Sequence, residues 1–279
     1  MFNELLGFLT KLCHATVLLS TATQPLLDKM PQELTSIELA PENEISGCGQ
    51  SMHDLFKRTE FVNLTKTKKM TVDNISKLVW EQALADGNSL VILNTKSAVK
   101  QLYQKTLELF GDLIQAHGFQ VYFLTTNLYP RARKERIEEI KAQLAASAKI
   151  IVISTQLIEA GVDVSFKNVF RSLAGLDNLV QSAGRCNRHG SNGAGDYGKI
   201  YLIEPDFEKI NSLRDISIGK KVTKLLLQKG SLAYEQDLGS LKVIEGYFRQ
   251  YLSEQEQAKN MKYAITTKRG IEVKLYDLL

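Results

Sequence analysis

The chain has 279 residues, 44% of them hydrophobic and 24% charged, which suits one or two cored domains of an ordinary soluble protein. No run of about 18 apolar residues occurs, so the sequence excludes a membrane-spanning helix. The three cysteines, Cys13, Cys48 and Cys186, form no C-x-x-C pair, and the net charge is +4; the first fits reduced thiols in a cytoplasmic protein, and the second permits a polyanionic partner without requiring one.

In chain order, the N-terminal segment is apolar in places but lacks a basic leader and a small-residue cleavage site, so no signal peptide is expected. The run Ala15–Ser20 predicts a strand that leads into Ser20-Thr21-Ala22-Thr23. Pro25, Pro31, Pro41, Gly47 and Gly49 then mark a connector, and residues 1–59 read as one terminal strand plus that connector. Further strands are predicted at Leu90–Leu93, Gln120–Leu124, Lys149–Ser154, Asn168–Ser172 and Lys199–Ile203. Most of these runs are continuously hydrophobic rather than alternating, as in parallel strands covered on both faces. Between them, Val99, Leu102, Tyr103, Leu107 and Phe110 share one helical face. Pro130 opens a second helix where its missing N–H costs nothing, with Ile137, Ile140 and Leu144 as its apolar stripe. Strand alternating with helix predicts a parallel α/β domain over residues 60–206. Residues 207–279 read as helices and a short basic tail.

Two motifs carry chemistry. Gln181-Ser182-Ala183-Gly184-Arg185-Cys186-Asn187-Arg188 places two arginines three apart, on one face if the segment is helical. Paired guanidiniums suit a transferring phosphoryl group, because each offers planar, multidentate donors. A surface helix with solvated arginines is the alternative. Ser154-Thr155-Gln156-Leu157-Ile158-Glu159-Ala160-Gly161-Val162-Asp163 follows the strand that ends near Ile153. Polar residues at the carboxyl end of a parallel strand lie where α/β folds bind ligands. Thr155 can donate to a backbone phosphate, and Asp163 can accept from a ribose hydroxyl.

In this order the two segments resemble motifs V and VI of superfamily-2 helicases. Ser20-Thr21-Ala22-Thr23 is similar to motif III, and Val91-Ile92-Leu93-Asn94-Thr95 to motif IV. Thr21–Pro25, Leu124-Thr125-Thr126-Asn127 with Pro130 and Arg133, Ile153–Asp163 and Ala183–Arg188 resemble the CRISPR-associated helicase–nuclease of type I systems. The resemblance implies a second RecA-like motor lobe at 60–206, an end of the first lobe at 1–59 and a helical extension at 207–279. It implies that Arg185, Arg188 and Gln181 act on ATP phosphates. Glu159, Gly161 and Asp163 would serve the nucleotide site. Asn94, Thr95, Thr125, Thr126, Arg133 and Thr155 would hold single-stranded DNA, and Ser20, Thr21, Ala22 and Thr23 would couple the two sites. The implied cofactor is ATP with Mg²⁺, whose ligands would lie on a first lobe. The implied partners are that lobe, a nuclease domain and a CRISPR surveillance complex. Many motif VI sequences carry arginine where this chain has Ser182, which leaves any contact from that position in question.

A motor also needs a phosphate-cradling loop and an acidic Mg²⁺ motif. No D-E-x-H or D-E-x-D string occurs. Gly193–Lys199 fits G-x-x-x-x-G-K, but Ile200 follows where a hydroxyl should reach Mg²⁺, and Lys199 is expected to open a strand. His14, His53, His117 and His189 are scattered, so no metal site is expected. The chain is thus expected to be one part of a larger protein and inactive alone. Two other readings stay open: a superfamily-2 lobe outside CRISPR defence, separable by strand preference, and a non-enzymatic nucleic-acid platform, against which the paired arginines speak.

Overall fold

The computed structural model describes residues 2–21, 23, 25–30, 35–45, 57–66, 69–159, 161–190, 196–228, 237–254, 264–266 and 272–274. The apolar runs become one six-stranded sheet in which every pairing is parallel. Its strands are β1 (Thr59–Asn63), β2 (Asn88–Ile92), β3 (Gln120–Leu124), β4 (Ile150–Ser154), β5 (Asn168–Ser172) and β6 (Gly198–Ile203), in the order β1-β6-β5-β2-β4-β3. All five residues of β4 and of β5 are buried; β4 is an apolar run up to Ser154, whereas β5 also buries Asn168, Arg171 and Ser172. β1 is a strand that the sequence pattern does not reveal. Its sequence, Thr-Glu-Phe-Val-Asn, is half polar, which suits an edge strand paired only with β6.

Four helices connect these strands, α1 (Val72–Asp86), α2 (Lys96–Ala116), α3 (Pro130–Ala145) and α4 (Leu176–Ala183), and α5 (Arg214–Gln228) follows β6. Thr71 and Thr95 cap α1 and α2 by accepting from the backbone N–H of Asn74 and Ala98. Gly87, at φ 90°, ends α1 in the left-handed region that favours glycine. α3 begins at Pro130 as predicted. Side chains alternate across the sheet, so Val91, Leu93, Ile151, Ile153, Phe170, Tyr201 and Ile203 share a face and pack with Ile75, Val79, Trp80, Val99 and Leu102 of α1 and α2. Phe170 and Tyr201 stack at 4.7 Å between ring centroids, and Trp80 lies 5.4 Å from Phe110.

The chain divides into two compact units, Phe56–Leu238 and Met1–Leu55 with Gly239–Leu279. The α/β unit therefore runs past residue 206 and takes in α5, which buries Ile218, Val222, Leu226 and Leu227. In the other unit, a helix at Phe2–Gly7 passes into a π-helical turn at Phe8–Leu12. The Asn3 amide donates to the carbonyls of Leu27 and Thr35 at 2.9 and 2.8 Å. A second helix, Leu241–Ser253, buries Val243, Ile244, Tyr247, Phe248 and Leu252. Ala264–Thr266 and Glu272–Lys274 pair antiparallel where the sequence suggests a plain basic tail.

The strand predicted at Ala15–Ser20 does not form. The segment is irregular, with Leu18 72% exposed, and no described strand pairs with it. An apolar β-branched run becomes a strand only where a neighbour completes its ladder.

Phe170 is 0% exposed in a central strand, so Phe170→Ala should lower stability by about 3–5 kcal/mol in urea unfolding through the cavity it leaves.

Candidate functional site

β2 lies between β4 and β5. The chain leaves β2 towards β3 and β4 and later returns on its other side to β5 and β6. Ligands of open parallel sheets bind at the carboxyl ends of strands where such a reversal occurs. Here the reversal gathers Asn94 after β2, Thr155–Asp163 after β4, and Arg171 and Ser172 at the end of β5.

A buried polar network fills this place. Arg171, 0% exposed, donates from Nε to Glu159 Oε1 at 2.9 Å and to Ser182 Oγ at 3.1 Å. Its Nη1 donates to Asn94 Oδ1 and to the Ser172 carbonyl, each at 2.8 Å. Ser182 Oγ also donates to Glu159 Oε1 at 2.8 Å. Burial pushes the Glu159 carboxyl up, against the opposing pull of Arg171 and the Ser182 hydrogen bond. Asn94 Nδ2 donates to Ser172 Oγ, the Leu173 carbonyl and Glu208 Oε2, while its backbone N–H donates to Glu208 Oε1. Gln156 Nε2 reaches Asn94 Oδ1 at 3.3 Å. Asn94 is thereby engaged inside the protein, and its side chain is not offered to a passing strand.

The paired arginines sit differently from the prediction. α4 stops at Ala183, so Arg185 and Arg188 lie in the turn beyond it, not on a helix. That turn is held by an isolated parallel bridge between Phe166 and Cys186. Asn187 adopts φ 43° and donates from Nδ2 to the carbonyls of Arg58 and Asp196 at 3.2 and 3.3 Å. Asparagine tolerates this left-handed conformation better than most residues. Gly198 presses on the turn so closely that a Cβ there would stand 2.6 Å from Cys186 Sγ. Burial pushes the Cys186 thiol up to about 12.

Arg185 is buried. Its Nε donates to the Ile158 carbonyl at 2.9 Å and its Nη2 to the Glu159 carbonyl, while Nη1 has no hydrogen-bond partner. Burial, and then the neighbouring Arg188, draw its pKa below the ordinary arginine value. Arg188 is 41% exposed, pairs through Nε with Asp163 Oδ1 at 2.8 Å and donates from Nη1 to the Gly184 carbonyl. The structure thus joins Arg185 to Glu159, and Arg188 to Asp163. Gly161 holds the intervening loop at φ 71°, while Ala160 lies outside the described residues. Gln181 is exposed on α4.

Of the residues expected on nucleic acid, Thr95 is half-buried and caps α2. Thr125 is 4% exposed and accepts from the Asn127 N–H. Thr126 is exposed, and Arg133 is half-buried in the first turn of α3. Thr155 is 7% exposed, with its backbone N–H on the Leu124 carbonyl. Ser20, Thr21 and Thr23 belong to the other compact unit, and Ala22 lies outside the described residues. Lys199 stands within β6, not at the start of a helix, while Gly193–Gly195 are not described. Among the described residues no group of three or more His, Cys, Asp or Glu side chains converges, and His53 with its neighbour Asp54 falls outside them. Sequence reasoning missed Arg171, Ser172 and Glu208. A signal for Arg171 existed, since an arginine in a doubly covered apolar strand must find a buried partner.

The six-stranded parallel sheet with its flanking helices is a RecA-like α/β lobe. Residues 85–191 match the family model for CRISPR-associated nuclease/helicase Cas3, C-terminal. The chain is 42% identical over 103 residues to the CRISPR-associated nuclease/helicase Cas3 of Haloferax volcanii, covering 35% of this chain and 11% of that protein. It is 26% identical over 200 residues to the Cas3 of Methanothermobacter thermautotrophicus, covering 68% of this chain and 22% of that protein. The chain therefore spans about a tenth to a fifth of these relatives. Among solved structures, T. fusca Cas3 has the same fold, with a TM-score of 0.57 at 16% identity over 74% of this chain and 25% of that one.

Because a Cβ at 198 would stand 2.6 Å from Cys186 Sγ and 2.8 Å from Asn187 Cβ, Gly198→Ala should cost about 1–3 kcal/mol, read as a lowered Tm.

Proposed function

We propose that the chain supplies the second motor lobe of an ATP-dependent translocase that moves along single-stranded DNA and unwinds target DNA in type I CRISPR defence. The observation that carries this reading is the docking of the Arg185–Arg188 turn on the Glu159–Asp163 loop, in a lobe that matches the Cas3 C-terminal family model. Solved structures of T. fusca Cas3 with ATP, ADP and AMPPNP have the same fold and favour a nucleotide as the ligand.

In this reading ATP lies between this lobe and a first lobe, which carries the phosphate-cradling loop and the Mg²⁺ ligands. The donors present fit phosphate: Arg185 keeps one buried Nη1 without a partner, and Arg188 is partly exposed beside it in the turn. Arg188 leaves Asp163 to meet the γ-phosphoryl oxygens, where negative charge grows in the transition state. Asp163 is then free to accept from the ribose. Arg185 holds the Ile158 and Glu159 carbonyls in place and adds its remaining donor. Gln181, exposed on α4, orients towards the same phosphates. Thr95, Thr126 and Thr155, just past the carboxyl ends of β2, β3 and β4, and Arg133, in the first turn of α3, contact the sugar–phosphate backbone of the strand without reading its bases. The Ser20–Thr23 segment couples the nucleotide to this grip. The nuclease domain and a CRISPR surveillance complex are the partners of the whole protein.

The sequence has no D-E-x-H or D-E-x-D string, and its one G-x-x-x-x-G-K stretch is followed by Ile200 rather than Ser or Thr, so the chain by itself should not hydrolyse ATP. Joined to its first lobe, Arg188→Ala should cut the DNA-stimulated kcat at least about tenfold with a smaller change in KM for ATP. Lysine should rescue poorly, since a point charge does not replace a planar fork. Wild-type kcat in Arg188→Ala would sink the proposal.

Binding of single-stranded DNA should weaken steeply between about 50 and 200 mM salt and show no base preference. Arg133→Ala should weaken it for all sequences alike in a fluorescence-anisotropy titration. Salt-independent affinity would contradict a backbone track.

A further inference from the structure

Arg171 is the one charged residue of β5 and is 0% exposed. Its guanidinium hydrogen-bonds to residues of three separate segments besides its own strand. Asn94, reached by Nη1 at 2.8 Å, directly precedes Thr95. Glu159, reached by Nε at 2.9 Å, leads into Gly161–Asp163. Ser182, reached by Nε at 3.1 Å, ends near the turn that carries Arg185 and Arg188. Glu159 also bears the carbonyl that receives Arg185 Nη2, so a shift of Glu159 moves Arg185 with it.

Stability alone does not account for this arrangement. A buried ion pair is often no better for stability than well-packed apolar residues of similar volume, and its best-attested use is to fix one register among several. The neighbouring Val169 and Phe170 show that β5 accepts apolar residues readily. The guanidinium does what an apolar side chain cannot, because its planar fork bonds several acceptors at set angles. Glu208 anchors the far side by bonding both the backbone and the side chain of Asn94.

We propose that Arg171 is a positioning residue, which holds the Asn94–Thr95 turn, the Gly161–Asp163 loop and the Arg185–Arg188 turn in one register. A strand gripped beside Thr95 is thereby felt at the two arginines. What the register serves rests on the motor reading above; the register itself does not.

The test uses two variants of the full chain. Arg171→Lys keeps the charge and loses the fork, and Ser182→Ala removes a single hydroxyl partner. Amide hydrogen exchange should quicken roughly tenfold at Asn94–Thr95, Gly161–Asp163 and Arg185–Arg188, the order expected for local loss of a buried hydrogen bond, while α3 keeps wild-type protection. In the protein that joins this chain to its first lobe, the DNA-stimulated kcat should fall about tenfold, and the rate without DNA by less than about threefold, with KM for ATP unchanged. Four results would overturn the inference: wild-type exchange in both variants, an equal rise across the whole sheet with a lowered Tm, quickening confined to one of the three segments, or local quickening that leaves DNA stimulation intact. A wild-type two-lobe protein that hydrolyses no ATP would overturn the motor reading instead, and the exchange pattern would still decide the role of Arg171.

Discussion

β2 is hydrogen-bonded along both edges, to β4 from Asn88↔Ile150 to Ile92↔Ser154 and to β5 from Ser89↔Asn168 to Ile92↔Arg171. That double pairing decides where the α/β unit can place its polar chemistry. A parallel strand paired on both sides and covered on both faces must be apolar, so function is displaced to the residues just past its carboxyl end. Because β2, β4 and β5 end level, the segments after them meet. Neither the Asn94 turn nor the Glu159 loop could reach Arg171 if the register slipped by one residue, since every side chain would change face.

The meeting point is polar, and in a dry interior that is demanding. Each donor and acceptor removed from water must find a partner or leave a penalty of about 1–3 kcal/mol. Asn94, Arg171, Glu159, Ser172, Ser182 and Glu208 largely satisfy one another. Such networks are all-or-nothing: losing one member strands the others, which makes the region stiff and its loops well placed. Ser182, where related motifs carry arginine, now has an evident contact. It bonds Glu159 and Arg171.

Much of the lobe was legible in the sequence because parallel strands announce themselves. Gln120–Leu124 and Asn168–Ser172 emerge with the predicted bounds, and Pro130 opens α3 as its missing N–H allows. Edge strand β1 was hidden, since Thr59–Asn63 is as polar as its one-sided pairing permits. Local spacing misleads at Arg185 and Arg188, where the helix breaks at Gly184 and the pair is placed by the bridge from Phe166 to Cys186. The motif around Asn94 suggests a surface ligand. Its burial depends on Glu208, a residue 114 positions away, and no local pattern announces a partner at that distance. Arg171 sits in plain view within an apolar run, and physical reasoning about its charge would have marked it.

Cys186 gives the lobe a practical chemical property. Its thiol is buried, sits against backbone carbonyls and stays protonated far above neutral pH. Alkylating reagents consume the thiolate, so this sulfur is protected twice, by access and by ionisation. Cys13, in the other unit, is exposed and open to such reagents. With Cys13 and Cys48 replaced by serine, a maleimide dye coupled to a cysteine introduced on the outer face of α3 would therefore mark that helix while Cys186 stays in place unmodified, and the turn bearing the two arginines would keep its native packing throughout the labelling.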